Sequence, residues 1–256
     1  MIGMQNRNPF HAPDVMSRRG GPAKVALSRD AIVGEALGLL MREGLQGMSL
    51  RKVASALDTG PASLYAYVQN LQELRALVLD RALAGVKTDR ARRRTWRQRL
   101  MALLESYLHV LFDTPGLAEL AMSTIAAGPN ALRIIEALLE ILEEGDVDRA
   151  TAAWAVDLLA LYVTAFAAEQ SHRRDAPDAL GPIARVLGAV SAHEYPRISA
   201  ASEDLVAGPG RVEWALEVLL KGILQTPRGT SHAGRVHLGN RRVPKTPRSR
   251  KSTRAR

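Results

Sequence analysis

Arg51 and Lys52 open one short apolar-patterned stretch. Pro61, Ala62 and Ser63 open another, followed by Tyr65 and Tyr67, with Asp58-Thr59-Gly60 between the two. Guanidinium, ammonium and hydroxyl groups clustered in this way are donors for phosphate oxygens. An arginine can also fork onto the N7 and O6 acceptors of a guanine, and the Ala62 methyl can meet that of a thymine. The hydroxyls of Tyr65 and Tyr67 can reach phosphates, with Tyr67 expected on the groove-facing side, and half-buried packing is the other reading for each; Leu64 and Val68 turn inward as core. Few of these side chains form bidentate base contacts, so phosphate grip and shape carry much of any sequence preference.

Chemistry of other kinds finds little support. The chain has no cysteine, which excludes disulfides, thiolate metal sites and a cysteine nucleophile. His109, His172 and His193 are widely spaced and read as lacking a second ligand one turn away, so no metal is assigned. There is no nucleophile–base pair, no P-loop and no Gly-rich dinucleotide turn. The chain is therefore expected to be neither an enzyme nor a holder of cofactor or metal. The net charge of +9 is confined to one end. Residues 227–256 hold ten Lys/Arg and no acid, while the other 226 residues hold 25 basic and 26 acidic groups. That charge alone does not argue for nucleic-acid binding by the body.

The elements that must position the cluster are helical. Apolar residues make up 46% of the 256 but aromatics only 4%, so the core is Leu, Ala, Val and Ile, and the fold reads as all-α. Ser28 is a fitting N-cap, with Ile32, Ala36, Leu39 and Leu40 as one stripe and Gly44 as the stop. Ser49 caps a second helix with Leu50, Val53, Ala54 and Leu57 inward. Pro61 suits the first position of a third, running to about Asn70. Asn70 and Glu73 form a capping-box-like pair opening a fourth, from Leu71 to about Val86. Two short helices around a three-residue break have helix-turn-helix geometry. Further helices are predicted over 96–112, 117–124, 131–144, 148–174, 179–193 and 211–225, divided by Pro and Gly. Residues 1–27 read as a flexible arm and 227–256 as a disordered basic tail. Residues 88–99 hold six arginines; a solvated helix start and a phosphate-facing patch are both open readings. The stretch 150–168 is long enough to span a bilayer, but Asp157 near its middle favours a buried bundle helix. With no readable leader, the chain is expected to be cytoplasmic, without a membrane partner.

Gly44 to Leu74 resembles the DNA-binding domain of the TetR family of bacterial transcription regulators. Ser49, Arg51, Val53, Ala54, Leu57, Ser63, Leu64, Tyr65, Tyr67, Val68, Asn70 and Leu74 fill the family pattern. The resemblance runs from about Ser28 to Val86. Tyr195 to Ile198 and Val212 to Ile223 are similar, more weakly, to the C-terminal domain of the tetracycline-repressor-like branch. The chain departs from the pattern at Asp58, where a turn glycine is usual, at Thr59, and at Leu71, where a phosphate-binding cation is common.

The resemblance implies a helix-turn-helix domain over 28–87 and a larger helical bundle over 88–226 for ligand binding and dimerisation. It implies a homodimer on a palindromic double-stranded operator, most simply a repressor released by a small-molecule effector. The DNA-contacting set is then Arg51, Lys52, Pro61, Ala62, Ser63, Tyr65 and Tyr67. Leu103, Tyr107, Leu111, Met122, Trp154 and Tyr162 are candidate pocket residues, with plain core as the alternative. The helices over 148–174 and 211–225 are apolar on two faces, so each needs a partner within the chain and one beyond it. Leu158, Tyr162, Leu216, Leu219, Leu220 and Ile223 are the candidate inter-subunit seam; a monomer core is the other reading. Two rivals stand beside the regulator: a helical-bundle enzyme or carrier, and a protein that associates nonspecifically with nucleic acid through its basic tail.

Overall fold

The computed structural model describes residues 8–11, 27–88, 94–175, 181–205 and 210–228. Among the described residues there is no strand, in keeping with a core rich in Leu and Ala and nearly without aromatic side chains.

Neighbours in sequence set the first four helices. Ser28 caps α1 (Arg29–Gly47) by accepting from the Ala31 amide at 3.1 Å. Ile32, Val33, Ala36, Leu39 and Leu40 turn inward as one stripe. Gly44 (φ 68°) interrupts the helix near its end, in a conformation that costs other residues a clash with their own Cβ. Ser49 caps α2 (Leu50–Ala56) at the Lys52 amide, and Val53 and Ala54 are buried beneath it. Asp58 takes the left-handed conformation (φ 48°) in the turn. α3 (Pro61–Leu64) begins on its proline and is a single turn, shorter than the predicted run to Asn70. After Leu64 the chain tightens, with the Tyr67 amide bonded back to the Leu64 carbonyl at 2.9 Å. It then extends at Asn70, which caps α4 (Leu71–Leu83) through the Glu73 amide at 2.9 Å. The Glu73 carboxylate accepts in return from the Gln69 amide.

The second half begins with α5 (Trp96–Asp113), opened by a Thr95–Gln98 capping box. α6 (Leu117–Met122), α7 (Pro129–Glu144) and α8 (Arg149–Asp175) follow. Next come α9 (Gly181–Gly188), which is shorter than predicted, α10 (Pro196–Ala200), α11 (Ser202–Leu205) and α12 (Arg211–Gln225). α8 is long and apolar enough to cross a membrane by length and composition. Here it packs against α5, α6, α7 and α12, burying Ala152, Ala155, Leu159, Val163 and Ala167.

α4 joins the two halves, packing on α1 at one side and on α5, α6 and α7 at the other. α6 approaches α1 at Gly116 (φ 74°), where an added Cβ would lie 2.8 Å from Leu40 Cδ1 and 3.3 Å from Gly44 Cα. One part of the predicted flexible arm is ordered: Pro9–His11 forms a 3-10 turn against α4, with Phe10 packed on the core. The remainder of that arm, the arginine run 89–93 and the tail beyond residue 228 lie outside the described residues.

Candidate functional site

Arg51 and Lys52 are exposed on the first turn of α2, and Pro61 and Ala62 on the first turn of α3, with Ser63 half-buried. Tyr65 is 58% exposed. Lys52 pairs with the Glu43 carboxylate. Both groups are well solvated, so the pair is worth only ~0–1 kcal/mol and a phosphate can displace it. Tyr67 is different. It is 6% exposed and belongs to the same buried cluster as Leu64 and Val68, which corrects its expected place on the groove-facing side. Three residues after Leu64 in a chain that keeps turning, with the Tyr67 and Val68 amides both bonded to the Leu64 carbonyl, the ring falls on the same side as Leu64. The Tyr67 carbonyl accepts from Arg29 Nη2 (3.0 Å) and Nε (3.2 Å), while Arg29 Nη1 donates to the Pro9 carbonyl at 3.0 Å. Tyr67 thus anchors the α3 segment to α1 and to the N-terminal turn.

A cavity of about 500 Å³ opens among α5, α6, α7 and α8, with Leu83 of α4 in its wall. This is the size of a small-molecule site. Leu103, Tyr107 and Met122 line it as expected. Leu111, Trp154 and Tyr162 do not: Leu111 is wholly buried in the core, Trp154 lines a separate groove, and Tyr162 stacks on Phe166 with centroids 6.2 Å apart. On α8 the cavity-facing positions are Ala153, Val156, Asp157, Ala160, Leu161 and Thr164, one face of the helical period, and both aromatics lie on other faces. The Tyr107 hydroxyl is 2.8 Å from Thr164 Oγ1. Burial raises the Tyr107 pKa above the ordinary phenol value, partly offset by the Thr164 bond, so the group stays neutral. Thr124, only 8% exposed, has a hydroxyl without a hydrogen-bond partner among the described residues. Asp157, Thr124 and Thr164 were not among the sequence candidates. The available signal was the polar spacing Asp157–Thr164 within an otherwise apolar helix.

α4 and α7 cap one another. Asp80, buried near the end of α4, accepts through Oδ1 from the amides of Asn130 (2.9 Å) and Ala131 (3.1 Å), and through Oδ2 from Asn130 Nδ2 (3.1 Å). It supplies the side-chain cap that Gly128 at the start of α7 lacks; a Cβ on Gly128 would lie 2.2 Å from the Asp80 carboxyl carbon. Conversely, Arg133 of α7 donates to the carbonyls of Leu83 (3.3 Å) and Val86 (3.0 Å) and to Thr88 Oγ1 (2.8 Å), at the end of α4. An anion at a helix N-terminus and a cation at a C-terminus also suit both helix dipoles.

The outer faces of α8 and α12 are apolar. Trp154 and Leu158 are exposed on one, and Trp214 (68% exposed) and Val218 on the other. Leu216, Leu220 and Ile223 are buried within their own chain, where α12 packs on α8. They therefore do not stand on the outer face where they were expected. Of the other seam candidates, Leu158 is exposed, and Tyr162 and Leu219 are half-buried. Arg228 ends the groove between these helices: its amide donates to Thr151 Oγ1 at 2.6 Å, and its guanidinium stacks 4.0 Å from the Trp154 ring centroid. His109 does have acidic neighbours one turn away, 3.8 Å from Glu105 and 3.9 Å from Asp113, which corrects its reading as isolated. No metal-type cluster of three is found among the described residues.

The family model "Tetracyclin repressor-like, C-terminal domain" matches residues 90–226. The chain is similar to the HTH-type transcriptional repressor DrrR1 of Streptomyces coeruleorubidus, 28% identical over 194 residues that cover 72% of each protein. Among solved structures, it resembles the putative transcription regulator SCO7704 of Streptomyces coelicolor, at 42% identity and TM-score 0.67, covering 80% of this chain and 98% of that one. It also resembles the S. coelicolor TetR family protein ActR in complex with (S)-DNPA, at 32% identity and TM-score 0.71, covering 78% and 98%.

Proposed function

Because the chain belongs to the TetR family of transcriptional regulators, we propose that it is a homodimeric repressor that binds a palindromic operator and releases it when a small molecule fills the α5–α8 cavity. The reciprocal capping of α4 and α7 carries this reading. α4 starts at Leu71, directly after its cap Asn70 and the α3 segment, and ends in the cavity wall at Leu83, tied there to α7. Its thirteen residues span roughly 20 Å. A ligand that displaces α7 displaces α4, and with it the turn that presents Ser63 and Tyr65. Such coupling is typically ~1–3 kcal/mol.

In this reading residues 28–87 bind DNA and 88–226 bind ligand and partner. Arg51, Lys52, Ser63 and Tyr65 contact phosphates and base edges, and Pro61 and Ala62 approach the bases. Tyr67 acts indirectly, by holding α3. Two copies meet through the outer faces of α8 and α12, so that Trp154, Leu158, Trp214 and Val218 are covered by their equivalents across a two-fold axis. The basic tail adds sequence-independent phosphate attraction. The protein works in the cytoplasm by binding, not by catalysis. The repressor name of DrrR1 and the small molecule bound by ActR support both halves of the proposal.

DNA selected from a random pool by the full-length protein tests it. The selected sites are expected to be palindromic, and Arg51→Ala should weaken binding to them without loss of helical content. Sites lacking two-fold symmetry, bound by a single copy, would refute the dimeric operator reading.

A further inference from the structure

The polar groups of the cavity are biased toward one kind. Thr164 donates its only hydroxyl proton to the Ala160 carbonyl, one turn back, at 2.8 Å. In the 2.8 Å contact between Thr164 and Tyr107, Tyr107 must therefore be the donor. A phenol has a single proton, so toward anything else the Tyr107 oxygen is an acceptor. Asp157 is also an acceptor. Its carboxylate lies on the cavity-lining face of α8, two turns before Thr164, and is exposed, with no hydrogen bond or ion pair among the described residues. Thr124 adds a buried hydroxyl without a partner among the described residues. No Lys, Arg or His is among the described residues that line the cavity.

Resting on the reading of this cavity as the effector site, we infer that the effector is an apolar molecule bearing a protonated amine, its ammonium paired with Asp157 and its other hydrogen-bond donors directed to Tyr107. An apolar body replaces water along a wall built of Leu, Ile, Ala and Val. A cation gains a charge-assisted bond at Asp157. A carboxylate or phosphate would lose its hydration against a wall with no compensating cation and would be repelled by Asp157. The cavity thus selects by sign of charge as well as by size.

Three probes with one tricyclic body separate these terms: aminomethylanthracene, hydroxymethylanthracene and anthracene carboxylate, titrated by fluorescence into the full-length protein. The amine should bind about tenfold more tightly than the alcohol, and the carboxylate most weakly. In Asp157→Asn the amine-to-alcohol ratio should fall toward one, and Tyr107→Phe should weaken the amine and the alcohol but not the carboxylate. The inference is overturned if the amine fails to bind, if the carboxylate binds as well as the amine, or if Asp157→Asn leaves the ratio intact. Repeating the titration with a DNA site selected by the protein tests the effector reading separately. An amine that binds but leaves DNA affinity unchanged defeats that reading while the charge preference stands.

Discussion

The DNA-facing head and the cavity sit at opposite ends of α4 and are built by opposite means. In the head the exposed groups are on the surface, and the helix starts beneath them are set by close neighbours. Ser28, Ser49 and Asn70 each cap a helix by bonding an amide three residues on. Around the cavity the buried polar bonds between helices join residues distant in sequence. Tyr107 meets Thr164 57 residues away, and at the neighbouring α4–α7 joint Asp80 meets Asn130 50 residues away. Local bonding yields a surface that moves as a body. Distant bonding yields a space whose filling shifts several helices together. A regulator assembled this way can change its ligand without disturbing its reading surface.

The largest expected effect separates inner and outer faces of the second half. Leu220→Glu buries an unpaired charge at a position 1% exposed and should cost several kcal/mol, about 3–5, enough to unfold the subunit in a thermal melt. Trp214→Glu, on the exposed face, should instead leave helical content intact, give a monomer in sedimentation, and weaken binding to a palindromic site by about a hundredfold. A Trp214→Glu protein that still sediments as a dimer would place the seam elsewhere.

The two tyrosines make the same contrast inside the head. Tyr67→Ala should lower stability by about 3 kcal/mol, as for a buried aromatic. Tyr65→Phe should leave the melting temperature in place and weaken DNA binding about fivefold, the worth of one hydrogen bond. Equal loss of stability in the two variants would erase the distinction.

At the joint, Asp80→Ala leaves the Asn130 and Ala131 amides without their acceptor, costing ~1–3 kcal/mol. DNA binding without ligand should persist, while release of that DNA by aminomethylanthracene should be blunted. Paired titrations of wild type and variant read this directly, and undiminished release would show that the coupling runs by another route.

The smallest effect lies in the tail. Ending the chain after Arg228 should flatten the dependence of log K on log salt by roughly 0.9 for each lost phosphate contact. It should do so equally for selected and scrambled DNA. A change confined to the selected site would make the tail a specific reader.

The contrast also explains what is legible in the sequence. Caps, the turn at Asp58 and the proline start of α3 are short-range signals, and they mark the head correctly. Tyr67 is misplaced because its hydroxyl suggests a DNA contact, whereas its spacing, three residues after Leu64 and one before Val68, puts the ring beside those two inward residues. α12 carries two apolar stripes, and the stripe with Leu216, Leu220 and Ile223 faces its own chain, leaving Trp214 and Val218 outside. The cavity is legible only in part. Leu103, Tyr107 and Met122 lie on helices whose faces are plain, but Thr124 and Asp157 acquire meaning only once four helices converge.

The contact at Gly116 has a genetic consequence. Any single-base change of a glycine codon that alters the residue adds at least a Cβ, and here that atom would press on Leu40 and on the Gly44 backbone. Selection for alleles that no longer answer the effector should therefore recover changes at this codon, although Gly116 is neither a proposed DNA contact nor part of the cavity wall. The inheritance of such alleles would follow from assembly. Mixed dimers with one altered joint would respond in half of the molecule, so the phenotype should be partially dominant in a cell carrying both alleles.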